Sequence, residues 1–152
     1  MVIRSLNSIY LQAPHITTTD EKDFCRYMLT WYTFLHIHHT REETVFFPAV
    51  EEMAGEKGIM EVNVQQHRAF GDGLGRFKVY LEGILVGREK YDGIKVVEII
   101  DSFGAILVQH LTEEISTLVG LRRFGNNRMG SVMKIAEKEA DRTMVCPTLH
   151  ST

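Results

Sequence analysis

The chain has 152 residues, 44% of them hydrophobic and 24% charged, which is typical of one soluble globular domain with its own hydrophobic core. Its 17 Lys and Arg against 20 Asp and Glu leave a net charge of -3, so the composition does not favour a nucleic-acid partner. No apolar run approaches the roughly 18 residues of a membrane span, and Met1–Arg4 lacks the layout of a signal peptide. Cys25 and Cys146 form no disulfide or zinc pattern. We therefore expect a cytoplasmic protein without membrane partners.

Apolar residues spaced three and four apart predict four helical segments joined by short turns. The segments cover residues 2–11, 20–53, 59–88 and 92–124. The predicted inward stripe of the second segment ends with Val45, Ala49 and Met53. That of the third segment comprises Asn63, His67, Phe70, Leu74, Phe77, Leu81 and Ile84. Pro48 is expected to kink the second helix or end it early. Gly71, Gly73 and Gly75 weaken the third helix. Gly71 and Gly75 either allow close helix approach or are simply tolerated.

These segments predict an all-α fold, an up-down four-helix bundle over residues 1–125. Residues 126–152 are predicted to form a short extra C-terminal helix, near residues 131–141, and an irregular tail. The pattern contains neither paired strands nor an internal repeat.

Histidine is the unusual component, since seven occur and three of them fall on predicted inward faces. His38 and Glu42 are four residues apart and so share one face of the second helix. His110 and Glu114 repeat that spacing on the fourth helix, and His67 lies on the apolar stripe of the third.

A carboxylate on a buried face needs a partner, because burying an unpaired charge is costly. A metal ion can serve several such groups together, and imidazole with carboxylate, without thiolate, suits iron, manganese or zinc. His39 and Glu43 have the same spacing and replace His38 and Glu42 if the helical phase is shifted by one residue. A single pair of this kind is also a common helix-surface pair, so the prediction rests on their combination.

Three segments in this order resemble the hemerythrin-like (HHE cation-binding) proteins, fungal members in particular. The residues concerned are HHTREETVFFP at 38–48, QHRAF at 66–70 and HLTEE at 110–114. The resemblance covers roughly residues 1–124 and implies an up-down four-helix bundle around a non-haem di-iron centre.

The resemblance implies five metal ligands: His38, Glu42, His67, His110 and Glu114. If two ions bind, the carboxylates of Glu42 and Glu114 bridge them. Two family positions are not met. The first helix has no histidine, and the resemblance would place that residue just before Met1. Asn63 and Gly71 stand where many members carry a second histidine on the third helix. Five protein ligands thus replace seven, and Glu113 is a candidate substitute at a less inward angle.

The function implied is an iron protein that binds dioxygen or another small diatomic ligand, or that handles iron or redox equivalents. One alternative is an iron-dependent oxidoreductase acting with oxygen, peroxide or nitric oxide. Another is a bundle that has lost its metal and serves as an interaction or structural protein. Because no separate acid–base or nucleophile motif occurs, a metal- and oxygen-binding protein is favoured over an enzyme.

Overall fold

The structure is a computed structural model, and it describes residues 2–125, 127, 128 and 130–134. Within these residues it is all-helical, without β-strands. The helices are α1 (Val2–Gln12), α2 (Glu21–Arg41), α3 (Phe47–Ala54), α4 (Glu61–Leu85), α5 (Gly93–Asp101) and α6 (Gly104–Gly120). Short 3₁₀ turns follow α1 at Ala13–His15 and α6 at Leu121–Phe124. The predicted all-α bundle is confirmed: α2 packs on α4 and α1, and α4 packs on α6 and α5.

The second predicted segment is helical throughout but contains a wide π-helical turn at Glu42–Phe46, between α2 and α3. There the Phe47 backbone N–H donates to the Glu42 carbonyl, five residues back. Pro48 has no N–H for the next hydrogen bond, and the widened turn directly before it accommodates its ring. The extra residue in this turn shifts the buried face of the following helix, α3, by one position along the chain.

The consequence is that the predicted stripe through Val45, Ala49 and Met53 is wrong, since these three residues are only half-buried. Phe46 and Val50 are buried instead, one position further along the chain.

The third predicted segment forms α4, and every position of its predicted apolar stripe is buried. Of the two alternatives for Gly71 and Gly75, the structure agrees with simple tolerance and not with close helix approach. A Cβ added at Gly71 or Gly75 would meet nothing within 4 Å. At Gly73 it would lie 2.6 Å from the Phe103 Cβ, so Gly73 is where α4 approaches the next helices closely.

The fourth predicted segment is two helices rather than one, because the chain breaks between α5 and α6 at Ser102 and Phe103. The Ser102 hydroxyl donates to the Ile99 carbonyl at 2.6 Å and competes with the helical pattern. The break lets Phe103 lie fully buried against Trp31 and Phe77. Asp92 caps the start of α5 by accepting from two backbone N–H groups.

Two apolar clusters fill the bundle, and the buried polar residues lie between them. The larger cluster joins α1, α2, α4, α5 and α6, and it includes Phe70. The smaller cluster surrounds α3 and includes Phe47 and Val132. The His67 ring contacts Phe70 of the first cluster and Phe47 of the second.

Residues 130–134 are helical, and the rest of the predicted C-terminal helix, residues 135–141, lies outside the described residues, as do Cys146 and His150. In the part of the chain that the structure describes, no helix has the length and apolar character that spanning a membrane requires.

Candidate metal centre

The centre of the bundle buries an unusual set of side chains with polar or charged ends. The described residues of this kind are His39 on α2, Glu42 in the π-helical turn, Asn63 and His67 on α4, and His110 and Glu114 on α6. Four segments therefore direct imidazoles and carboxylates to one point.

One group of four side chains, His39, Glu42, His67 and His110, brings one donor atom each within 4.8 Å of the others. The Nδ1 atoms of two of these histidines are held from outside the group. His67 Nδ1 lies 2.7 Å from the Glu43 carboxylate, and His110 Nδ1 lies 3.0 Å from Gln66 Oε1. Both partners are acceptors, so both Nδ1 atoms carry a proton and donate.

The orientation of the Gln66 amide supports this assignment. Its Nε2 donates to the Glu113 carboxylate, which also accepts from Gln109 Nε2 at 2.8 Å. Because an ionised carboxylate only accepts, the Gln66 amino group faces Glu113 and its oxygen faces His110.

With both Nδ1 atoms donating, the Nε2 atoms of His67 and His110 carry lone pairs, and these two atoms face each other at 3.1 Å. Protonating one of them would relieve the contact, but burial and the nearby His67 lower the pKa of His110 to about 4. In addition, His39 Nε2 and Glu42 Oε2 are buried without a hydrogen-bond partner among the described residues. Imidazole nitrogens and a carboxylate oxygen thus converge on one point, which is the arrangement a metal cation satisfies.

A second group of three side chains, His38, Glu42 and Glu114, lies beside the first. His38 Nε2 is 3.0 Å from Glu42 Oε1, while Glu42 Oε2 is 3.6 Å from His67 Nε2. Glu42 therefore presents one oxygen to each group, as a carboxylate shared between two cation positions would.

The electrostatics of the site favour a bound cation. Burial is the main cause that raises the pKa of Glu42 far above its ordinary value, and the negative charge of Glu114 is the second. Burial is also the main cause that holds the pKa of His39 far below its ordinary value, and the neighbouring His67 is the second. A cation would offset the first effect, because it favours the ionised carboxylate and uses the neutral imidazole.

All five sequence-predicted ligands, His38, Glu42, His67, His110 and Glu114, thus fall in these two groups, with Glu42 in both. The structure adds His39, which the sequence offered only as a replacement for His38.

The other candidates take different places. Glu43 does not join either group, and its carboxylate accepts a hydrogen bond from His67 Nδ1. Glu113 is exposed, and its carboxylate accepts a hydrogen bond from Gln66. Asn63 is buried on α4 outside both groups, and Gly71 is exposed. Gln66 was not singled out as a functional residue, and only its position next to His67 hinted at a role.

A family model described as the hemerythrin HHE cation-binding domain matches residues 8–121, most of the chain. This chain belongs to that family. The matched hemerythrin domain contains both groups of candidate ligands, so cation binding is the family property to which this geometry corresponds.

A curated relative of this hemerythrin domain is the "Dimeric xanthone biosynthesis cluster protein R11" of Cryptosporiopsis sp. (strain 8999), a fungal cluster protein. The two are 31% identical over 142 residues, which cover 93% of this chain and 53% of the relative. The chain therefore spans about half the length of that relative. No solved structure matches the chain at a significant level.

Proposed function

We propose that this hemerythrin domain binds non-haem iron in the buried site, and that the iron serves to bind dioxygen or another small diatomic ligand or to handle redox equivalents. His39, Glu42, His67 and His110 would hold one ion. His38, Glu42 and Glu114 would hold a second, with Glu42 shared between the two. Iron in such a ligand set supplies a one-electron redox couple and open coordination positions for a small ligand.

The observation that carries this proposal is the convergence of four buried donor atoms on one point. These atoms are the facing Nε2 atoms of His67 and His110, His39 Nε2 and Glu42 Oε2. If the core held no metal, burying these atoms would destabilise the folded state, because in the unfolded chain the same atoms form hydrogen bonds with water.

The surrounding residues hold the donor atoms in place. Glu43 and Gln66 fix both histidines in the form that is protonated on Nδ1, which leaves each Nε2 free to donate its electron pair. The Phe47 and Phe70 rings both contact the His67 ring, each with its ring centre 5.7 Å from that of His67.

Iron analysis of protein produced in iron-supplemented medium tests the proposal. We expect about one to two ions per chain, because each imidazole–carboxylate group holds one, with absorption that changes on exposure to oxygen. His110→Ala should lose the ion held by the four-residue group that contains His110. His15→Ala is the matched control, because His15 is exposed and lies outside both groups. Absence of iron from the wild type, or equal content in His110→Ala, would favour the metal-free bundle instead.

A second candidate function, an iron-dependent oxidoreductase acting with oxygen, peroxide or nitric oxide, is supported by a cavity that a simple carrier does not need. The cavity has a volume of about 300 Å³ and is lined by His39, His67 and Phe70 at its inner end. Consumption of oxygen or peroxide over many cycles by the reduced, iron-loaded protein would support the enzyme. A single stoichiometric uptake would support the binding protein.

A further inference from the structure

The cavity beside the candidate ligands runs between α2 and α4 to the surface. His39, His67 and Phe70 line its buried end, while His36, Thr40 and Gly71 line it where these helices are exposed. Its volume of about 300 Å³ is at the lower end of small-molecule sites and larger than a diatomic ligand needs. The cavity therefore has room for one small organic molecule.

Its walls favour a planar ring. Phe70 lies at the inner end, with its ring centre 5.0 Å from that of His39. Tyr32 and His36 stack with ring centres 5.6 Å apart and planes 12° from parallel, and both also line the cavity. Aromatic rings that line one cavity attract a further ring through edge and offset contacts, beyond the effect of buried area.

Two polar groups of opposite charge complement these rings. The Glu43 carboxylate gives one oxygen to His67 and can accept further hydrogen bonds. The Arg68 guanidinium is 73% exposed and lies 3.9 Å from the Glu61 carboxylate, and it has further N–H donors. A hydroxyl group both donates and accepts, so it can donate to Glu43 and accept from a donor such as Arg68. Their opposite charges give no preference for an anion or a cation.

Gly71 keeps the entrance open. It lies in the interior of α4, yet a Cβ added there would meet nothing within 4 Å, so packing does not require a glycine. A glycine in a helix interior lowers helix stability relative to alanine. Since Gly71 lines the cavity, the empty space beside it is the space that a larger side chain would occupy.

We propose that this cavity is a binding site for a small hydroxylated aromatic molecule, of the phenol class, next to the metal centre. Its role as a substrate site depends on the proposed function, but binding itself does not require the metal. The ring would lie between Phe70 and the Tyr32–His36 pair, with its hydroxyl at Glu43 and Arg68.

The test is a titration of metal-free protein with phenol, in which binding is monitored by the amide chemical shifts in ¹⁵N spectra. We expect binding with a Kd on the order of 1 mM for so small a ligand, with shifts centred on residues 36–43 and 67–74. Cyclohexanol, which has a similar size and a hydroxyl but no aromatic ring, should bind about two- to tenfold more weakly.

Gly71→Leu should weaken phenol binding at least tenfold, on the order expected when a side chain fills the space of a ligand. Gly75→Leu is the matched control, since Gly75 is also free of contacts within 4 Å but does not line this cavity. Both variants should fold, because leucine favours helix over glycine.

The proposal is overturned if phenol shifts other regions, if cyclohexanol binds equally well, or if Gly71→Leu binds phenol as the wild type does. Iron content measured on the same samples separates the two proposals. Iron without phenol binding would refute the cavity site alone, whereas phenol binding without iron would refute the metal function alone.

Discussion

At the scale of single residues, the hydrogen bond between Glu43 and His67 has more effect on the site than its exposed position indicates. The Glu43 carboxylate lies 2.7 Å from His67 Nδ1, on the side of the ring away from the converging donors. A carboxylate in that position fixes the ring orientation and makes the opposite nitrogen a stronger electron-pair donor. Glu43 is thus a positioning residue that is not itself in either candidate ligand group.

Glu43→Ala should weaken metal affinity about 10- to 100-fold, as loss of such a supporting hydrogen bond does at other histidine sites. Glu43→Gln should lose less, because the amide oxygen still accepts from Nδ1. Competition titration with a coloured chelator and Mn²⁺ measures both. Glu82→Ala, which removes a surface carboxylate paired with Lys78, serves as the control. Unchanged affinity in Glu43→Ala would mean that packing alone orients His67.

At the scale of helices, the π-helical turn at Glu42–Phe46 determines which residues reach the centre. A regular helix would place His38, Glu42 and Val45 on one face. The extra residue in the turn lets Glu42 lie buried with His39 before it and with Phe46 and Phe47 after it. Pro48 indicated an irregularity in the sequence, but its form depends on how α3 packs against the rest of the bundle.

The glycines of α4 give a matched test of helix packing. Gly73→Ala should destabilise the protein by about 1–3 kcal/mol, because its Cβ would overlap a buried residue and lie 2.6 Å from the Phe103 Cβ. Gly71→Ala should instead stabilise it by up to about 1 kcal/mol, since the helix gains propensity without a clash. Urea unfolding of the metal-free proteins measures both changes. Equal effects at the two positions would contradict the close approach of α4 to Phe103.

At the scale of the whole molecule, metal binding and folding are coupled, because the candidate ligands come from α2, the π-helical turn, α4 and α6. The unfolded chain does not hold these segments together, so a metal ion binds mainly the native state and lowers the unfolded population. Cys25 offers a way to observe this coupling. It is fully buried, and burial raises the pKa of its thiol to about 11, so it should react only when the structure opens.

In a Cys146→Ser background, saturating Mn²⁺ should therefore slow the labelling of Cys25 by a thiol reagent. A concentration 100 times the Kd should slow it about 100-fold if labelling requires global unfolding. Cys25 precedes His39 by 14 residues of α2, about 21 Å along the helix axis, so direct protection by the metal is excluded.

Glu42→Ala is the control for this experiment, because Glu42 belongs to both candidate ligand groups and labelling of the variant should not respond to Mn²⁺. Metal analysis can show that Mn²⁺ binds to the protein whose metal site is unchanged while the labelling rate of Cys25 stays the same. In that case Cys25 becomes exposed by local opening of α2. Folding and metal binding would in that case be coupled less widely than the shared centre indicates.

The amino-acid sequence by itself determined the approximate extent of the helical regions, the all-α bundle and five of the six side chains in the two candidate ligand groups. These properties depend on spacing along a helix, and spacing is local: the buried stripe of α4, including His67, followed from it directly. The tertiary structure alone decided that Glu42 faces both groups, that His39 joins the set and that Gly73 is the close contact. Each of these depends on the π-helical turn or on contacts between helices, and so on atoms that lie far apart in the sequence.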